Sequence, residues 1–486
     1  MAKRVGVIDI GSNSLRMVVY EKTSRFAFHI LHESKSSVRL SEDAYKNDGT
    51  LQEIPMQRTF DALENFTNII SSFKVRKTLC VATSALRDAP NKKVFLQKVK
   101  NKLDLKIKII NGEKESYFGA VACANLLPIQ NNALSIDIGG GSSEFAIIND
   151  KNIDHNISLN LGTLRLKELF FDKNDIDGAT NYIDNELSKL NHLNPSNIIG
   201  IGGTFRAISS AIMNAQSYPF EKLHAYEITT IKFEEYLEKV LCASENGLKD
   251  LHIKKSRFDI IKPGSLILQR ILKKFKINKL ITSGVGVRDG VYLSDLLRNS
   301  KDKLPQNYNT SVRYILDAHV DNIAYANQLN KTVKNVFDLT YAHFKIDAKY
   351  KKELAIAAKL YTSGSNMHFY SQHKHSYHLV LNALEFGFTH EQTILIATLL
   401  RYAGRKQPSI SHVEKYALLL PKRETLDILN HILSISISLL SHRPRNIDFE
   451  LKFLDNSLSI ESKNNLYLAK DSIKKLDIPS LKIDFI

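Results

Sequence analysis

The chain contains one short pattern twice, and that repetition restricts the folds open to it. Residues 5–16 read Val-Gly-Val-Ile-Asp-Ile-Gly-Ser-Asn-Ser-Leu-Arg, and residues 134–144 read Leu-Ser-Ile-Asp-Ile-Gly-Gly-Gly-Ser-Ser-Glu. Each copy is an apolar strand with a carboxylate near its end (Asp9; Asp137), then a glycine/serine turn, then a second apolar run (Met17 to Tyr20; Phe145 to Ile148). A turn of this kind points backbone N–H groups and hydroxyls at one spot, which makes an anion nest. Glycine there lets a phosphate approach the main chain where no Cβ intervenes. Two nests, each beside an aspartate, predict a phosphate chain held between two related domains together with a divalent cation.

Size fits such a duplication, because 486 residues exceed what one core supports and suggest two to four domains. The formal charge of +16 predicts attraction to polyanions: nucleic acid, an anionic membrane or a polyphosphorylated substrate. Residues 301–486 carry 25 basic and 18 acidic side chains, so the excess is spread along the chain. That favours a broad basic surface over a disordered nucleic-acid arm, and no specific nucleic-acid partner is expected. Cys80, Cys123 and Cys242 lack C-x-x-C spacing, which argues against a disulfide framework or a thiolate zinc site. A strand begins almost at the first residue, leaving no room for a signal peptide. No apolar run approaches the roughly 20 residues of a membrane span. The expected location is cytoplasmic, with no membrane partner.

Residues 1–127 alternate strands and helices. A helical period covers 60–73 and a short apolar strand 78–82. Pro90 sits where a first helical turn tolerates it, and the helix continues over 94–103. A strand over 105–110 ends at Asn111-Gly112, and a helix follows over 114–127. Residues 128–304 repeat the plan. After the second hairpin, the strand at 198–201 runs into glycines, with Thr204 placed to cap a helix over 205–213. The same strand-to-glycine step recurs at 279–284 before a helix near Gly290. Two α/β domains facing a cleft are predicted. Over 305–486 helical stripes replace strands, as in Leu354, Ala357, Ala358 and Tyr361, with breakers at Pro408, Pro421, Pro444 and Pro479. This part reads as an all-α domain with a short mixed tail.

Six motifs stand in order: Asp9-Ile-Gly-Ser-Asn-Ser-Leu-Arg16, Ala82-Thr-Ser-Ala-Leu-Arg-Asp88, Gly112-Glu-Lys-Glu-Ser116, Asp137-Ile-Gly-Gly-Gly-Ser-Ser-Glu144, Gly200-Ile-Gly-Gly-Thr-Phe-Arg206 and Ser283-Gly-Val-Gly-Val-Arg-Asp-Gly290. Together they resemble the exopolyphosphatase/guanosine pentaphosphate phosphatase family, a branch of the actin–hexokinase (ribonuclease H-like) fold. The resemblance is strong over about the first 300 residues and weaker over the helical remainder. It implies an Mg²⁺-dependent hydrolase acting on polyphosphate, guanosine pentaphosphate or both. From either it would release the terminal phosphate, in the second case giving the tetraphosphate of the stringent response. Family precedent allows a homodimer.

The resemblance implies that Gly11, Ser12, Asn13 and the turn Gly140, Gly141, Ser142, Ser143 bind successive phosphates. Arg16 and Arg87 would clamp the same anion, since guanidinium forks match phosphate oxygens. Anhydride hydrolysis needs a metal to offset charge and a group to orient the attacking water. The metal role carries over to Asp137 and Glu144, with Asp9 reaching the ion through water. Glu115 takes the catalytic position, at a helix start whose dipole favours the ionised carboxylate. Glu113 stands two residues away, but the glycine register of the motif favours Glu115. Gly203 and Thr204 form a further anion or nucleotide site, or merely a helix cap. The stretch Lys254-Lys255-Ser256-Arg257-Phe258-Asp259 and Pro263 depart from the family pattern. Lys262 to Lys279 reads either as a basic track for polyphosphate or as a solvated helix face.

The helical remainder resembles a degenerate His-Asp phosphohydrolase domain, with Leu360-Tyr361-Thr362-Ser363-Gly364 where the metal-binding pair would stand. His368, His373, His375 and His378 have no acid partner nearby, so no second catalytic centre is expected. Two other readings of the whole chain stay open: an ATP-dependent phosphotransferase of the same fold, and a non-catalytic sensor of alarmones or polyphosphate.

Overall fold

A computed structural model describes residues 3–128, 130–404, 406–476 and 481–486; Pro479, read above as a breaker, lies outside the described residues. The chain divides into two compact units, Met1–Tyr308 and Asn309–Ile486.

The first unit holds two sheets built on one plan. β1 (Arg4–Ile10), β2 (Leu15–Lys22) and β3 (Phe28–Ser36) form an antiparallel meander, and after α1 (Glu53–Ser72) strand β4 (Lys77–Ala82) lies parallel to β1. α2 (Ser84–Asp88) and α3 (Lys92–Leu103) lead to β5 (Ile107–Ile109), parallel to β4, and then α4 (Gly112–Leu126). The plan restarts with β6 (Ala133–Ile138), β7 (Ser143–Asn149) and β8 (Asn152–Leu159). α5 (Thr163–Leu169) and α6 (Ile176–Ser188) precede β9 (Asn197–Ile201), which is parallel to β6. α7 (Gly202–Ala215), β10 (Tyr226–Thr229), α8 (Thr230–Cys242), α9 (Glu245–Asp250) and α10 (Phe258–Phe275) come before β11 (Lys279–Thr282), and α11 (Val287–Leu296) closes the unit. The orders are β3-β2-β1-β4-β5 and β10-β11-β9-β6-β7-β8, so the second sheet repeats the first and adds one edge strand.

Apolar pattern explains the layering. β1 has a neighbour on each side, and Val5, Val7, Ile8 and Ile10 bury both of its faces. The stripe Phe60, Leu63, Phe66 and Ile70 of α1 covers the first sheet. Phe205, Ile208 and Ile212 of α7 join Ile267, Leu268 and Ile271 of α10 over the second.

Two helices cross over between the halves. α4 precedes the second hairpin in sequence, yet Ala120, Cys123 and Ala124 pack with Ala133, Ala146 and Ile199 of the second sheet. Ser116 Oγ also donates to the Phe145 carbonyl at 2.6 Å. Conversely, Tyr292 of α11 stacks on Tyr20 of β2 with ring centroids 4.1 Å apart, and Tyr20 donates to Asp289 at 2.5 Å. The helices meet at Gly290, where a Cβ would lie 1.8 Å from the Phe118 carbonyl oxygen. Only glycine fits that crossing.

Boundaries shift against the sequence reading. α1 starts at Glu53 rather than near 60, and β5 spans only Ile107–Ile109. Thr204 does not cap α7: the helix starts at Gly202, and its N-cap is Ile201 with no side-chain bond. Gly202 has φ +90, which turns the chain from strand straight into helix and leaves Thr204 inside the first turn. α10 runs unbroken through the buried Pro263.

The second unit contains α12 (Thr310–His319), α13 (Ile323–Thr340), α14 (Lys351–Leu360), α15 (Gln372–Ala383), α16 (His390–Tyr402), α17 (Ile410–Lys415) and α18 (Arg423–Leu439). Asn309 and Asn322 cap α12 and α13, and Thr389 with Gln392 forms a capping box on α16. The short mixed tail expected after these helices takes the form of a small sheet. β12 (Glu450–Leu454) and β13 (Ser457–Glu461) form a hairpin, and after α19 (Tyr467–Lys474) strand β14 (Lys482–Phe485) completes a three-stranded sheet. Asp455 and Asn456 make the turn with φ of 49 and 60, the conformation Asp and Asn tolerate best in a two-residue hairpin loop. Among the described residues no helix is long and apolar enough to cross a membrane.

Candidate active site

The two repeated turns have the same backbone. Gly11 N–H bonds to the Ser14 carbonyl at 3.1 Å, and Gly139 N–H bonds to the Ser142 carbonyl at 2.9 Å. They face one another at close range: a Cβ on Gly140 would lie 3.0 Å from Ser12 Cβ, and one on Gly141 2.2 Å from the Tyr45 hydroxyl. Gly140 is thus crowded by the opposing turn and Gly141 by Tyr45 and Ser84, whereas the sequence reading ascribed the glycines to an approaching phosphate.

The same register carries different side chains in the two copies. Asp9 on β1 pairs across with Arg16 on β2, while Asp137 on β6 pairs with Glu144 on β7. An acid–base pair thus lines one wall and an acid–acid pair the other. Asp9, Asp137, Glu144 and Glu115 all line one cavity of about 150 Å³, together with Gly11, Ser12, Asn13, Arg16, Gly140, Ser142, Gly203 and Thr204.

Burial dominates the electrostatics. It pushes the Asp9 carboxyl up to about 6, against the pull of Arg16 and Arg288, and it raises Asp137 against Arg206. Glu144 is raised by burial although Ser142 Oγ and Ser158 Oγ donate to it at 2.6 and 2.9 Å. Glu115, also buried, is pushed well above the carboxylate range by desolvation and then by Glu144. Burial thus works against the ionised form of Glu115 that the helix start was expected to favour. Its charged form is instead supported by Arg87, whose Nη1 donates to Oε2 at 2.9 Å.

Of the predicted phosphate ligands, Arg87, Gly141 and Ser143 do not themselves line the cavity, although each adjoins a residue that does: Glu115, Gly140 and Ser142. Arg87 is engaged with Glu115. Gly141 faces Tyr45, and Ser143 Oγ is turned to the Leu161 carbonyl at 2.5 Å. Half of the basic residues of 262–279 are committed as well. Arg270 is paired with Asp184 at 2.5 Å and Lys279 with Glu227 at 2.5 Å, and Lys274 donates to Asn191.

Residues not assigned from sequence complete the wall: Lys35, Arg206, Arg257 and Arg288 line the cavity beside Arg16. Burial lowers Arg206 to about 10, followed by repulsion from Arg16 and Arg288, and its Nε has no hydrogen-bond partner. Lys35 is lowered to about 8 by burial, then by Arg16, Arg257 and Arg206. An anion relieves such crowding. Arg206 and Arg288 stand inside two of the quoted motifs and were legible as bases. Lys35 was not, because only the β2–β3 register puts it opposite Arg16.

The donor set suits a divalent cation. Asp9 Oδ1 is buried without a hydrogen-bond partner, and Gly202 closes on Asp137, where a Cβ would come 2.5 Å from Oδ1. Among the described residues no three His, Cys, Asp or Glu side chains group so as to hold a metal ion. Mg²⁺ uses one or two carboxylates and completes its shell with water and substrate phosphate.

Known proteins align with both units. The profile of the Ppx/GppA phosphatase family matches residues 18–299, and that of Ppx/GppA phosphatase domain III matches 309–478. A bifunctional 3-dehydroquinate synthase/phosphatase of Fusobacterium nucleatum is 32% identical over 295 residues, 57% of this chain but 44% of that protein, so the chain spans less than half of that relative. A guanosine-5'-triphosphate,3'-diphosphate pyrophosphatase of Photobacterium profundum is 25% identical over 467 residues, 93% of this chain and 90% of its own. Among solved structures, the Aquifex aeolicus Ppx/GppA family member has 28% identity and a TM-score of 0.54, covering 62% of this chain and 99% of its own. From its paired actin-like sheets and the match of both profiles, the chain belongs to the Ppx/GppA phosphatase family.

Proposed function

We propose that the chain is an Mg²⁺-dependent phosphoanhydride hydrolase that releases the terminal phosphate of guanosine pentaphosphate and of inorganic polyphosphate. One observation carries this reading: both glycine/serine turns and the four carboxylates Asp9, Glu115, Asp137 and Glu144 line a single cavity. The name of the Photobacterium profundum relative supports the nucleotide substrate.

In this reading, the turns and the basic wall bind consecutive phosphates, leaving the outermost one nearest Glu115. Glu115 orients a water and takes its proton as the water oxygen bonds to phosphorus. The bridging P–O bond then breaks, and its electron pair leaves with the shortened chain. Burial raises the proton affinity of Glu115, as a base needs, while Arg87 steadies its charged form. Asp137 and Glu144 would hold Mg²⁺, with Asp9 reaching it through water, and the ion would offset charge on the transferred phosphoryl group. The likeness of 305–486 to a degenerate His-Asp phosphohydrolase domain belongs to the same proposal.

The test is phosphate release from long polyphosphate and from guanosine pentaphosphate, with and without Mg²⁺. Glu115→Gln should lower kcat about 10²- to 10⁴-fold with substrate still bound. Unimpaired turnover in that variant, or none in the wild type, would refute the reading.

A further inference from the structure

Each turn has its own support. The carbonyls of Ser12 and Asn13 accept the N–H groups of Ser41 at 3.2 Å and Arg39 at 3.1 Å, from the segment after β3. The carbonyls of Gly139 and Gly140 accept those of Thr163 at 3.0 Å and Leu164 at 2.9 Å, the first residues of α5, and Arg165 Nε donates to the Gly141 carbonyl at 2.8 Å. In a trans peptide a carbonyl tied outward turns its N–H the other way, so these supports aim the turn amides away from themselves.

One side chain joins the two supports. Glu168 lies on α5, is 4% exposed and does not line the cavity. Its Oε1 accepts the Asp43 N–H at 2.9 Å and its Oε2 the Tyr45 N–H at 3.1 Å. Bonds to a buried carboxylate are stronger than those between neutral groups. The segment it holds needs holding: Arg39 and Asp43 adopt φ of 48 and 56, which non-glycine residues keep only when their surroundings impose it. Further ties follow the same line, with Arg39 on Asp259 at 2.8 Å, Lys46 on Asp172 at 3.1 Å and the Arg165 guanidinium 4.5 Å from the Tyr45 ring centroid.

We propose that Glu168 is a positioning residue for phosphate-chain binding, whose buried carboxylate rivets the support of the first turn to the support of the second and so sets the separation of the two nests. The rivet stands on its own geometry, while its consequence for binding rests on the functional reading above. A merely structural stitch would move the melting temperature and nothing else.

The test uses the full chain carrying Glu168→Gln, which keeps the size but removes the charge and sets an NH₂ against one of the two amides. Two quantities are measured: hydrogen exchange of a peptide spanning 40–48, and calorimetric binding of tripolyphosphate in Mg²⁺. Exchange should accelerate, and the dissociation constant should rise about tenfold, what one charge-assisted hydrogen bond is worth. Unchanged exchange would overturn the rivet, and faster exchange with unchanged affinity would overturn the positioning role. Absence of binding in the wild type would remove the functional reading, and the positioning role with it. Should Glu168→Gln not fold, Glu168→Asp, one methylene shorter but still charged, is read by the same criteria.

Discussion

Gly141 is the residue at which the sequence argument and the three-dimensional one diverge. From sequence, a glycine triplet before two serines reads as room for a phosphate. In the molecule the space is taken by the Tyr45 hydroxyl, 2.2 Å from where a Cβ would stand, with Ser84 Oγ at 2.8 Å. Gly141→Ala should therefore destabilise by about 1–3 kcal/mol through overpacking. Adding Tyr45→Phe should recover part of that loss, because it removes the closest atom. A double-mutant cycle in urea measures this coupling. The acids and both turns were legible because each is a short local pattern. Lys35, Arg257 and Glu168 were not, because their roles depend on strand register and on contacts between segments far apart in sequence.

At the scale of elements, the succession of strands was readable in outline and helix placement was not. The second hairpin announces a second sheet, but nothing local tells α4 to pack on the sheet that follows it instead of the one before it. His224 shows how that placement is fixed. Its ring accepts the Gly284 N–H at Nδ1 (3.1 Å), and Nε2 therefore donates to the Leu126 carbonyl (2.9 Å), tying the end of α4 to the segment after β11. Burial lowers His224 to about 4 from the ordinary 6.5. The unfolded chain thus binds the proton first, and stability present above pH 6.5 is lost as pH falls toward 4. Between pH 7 and pH 5 this amounts to about 2 kcal/mol. Thermal melts of the wild type and of His224→Gln across that range should show a flatter pH dependence in the variant. In the tail the sequence marks only a mixed segment; Asp455-Asn456 is a local hairpin signal, but the pairing of β14 with β13 depends on residues more than 20 positions apart.

For the whole molecule, the distribution of chemistry between the compact units decides what each is needed for. Both turns and all four carboxylates lie within Met1–Tyr308. The Aquifex aeolicus relative is 99% covered by 62% of this chain, so a family member exists at about the length of the first unit alone. A chain ending at Tyr308 should accordingly keep phosphate release within about tenfold of the full-length protein, a difference of roughly 1.4 kcal/mol in barrier. Loss of turnover beyond that in a folded 1–308 chain would assign the helical unit a part in the reaction. Duplicated segments ordinarily drift apart at leisure, each free to lengthen or grow bulkier. The apposed loops here deny that freedom, since Ser12 and Gly140 mark each other's outer limit. A lineage that places a side chain at 140 should shorten residue 12 with it, while growth at 12 meets a glycine that has nothing left to give.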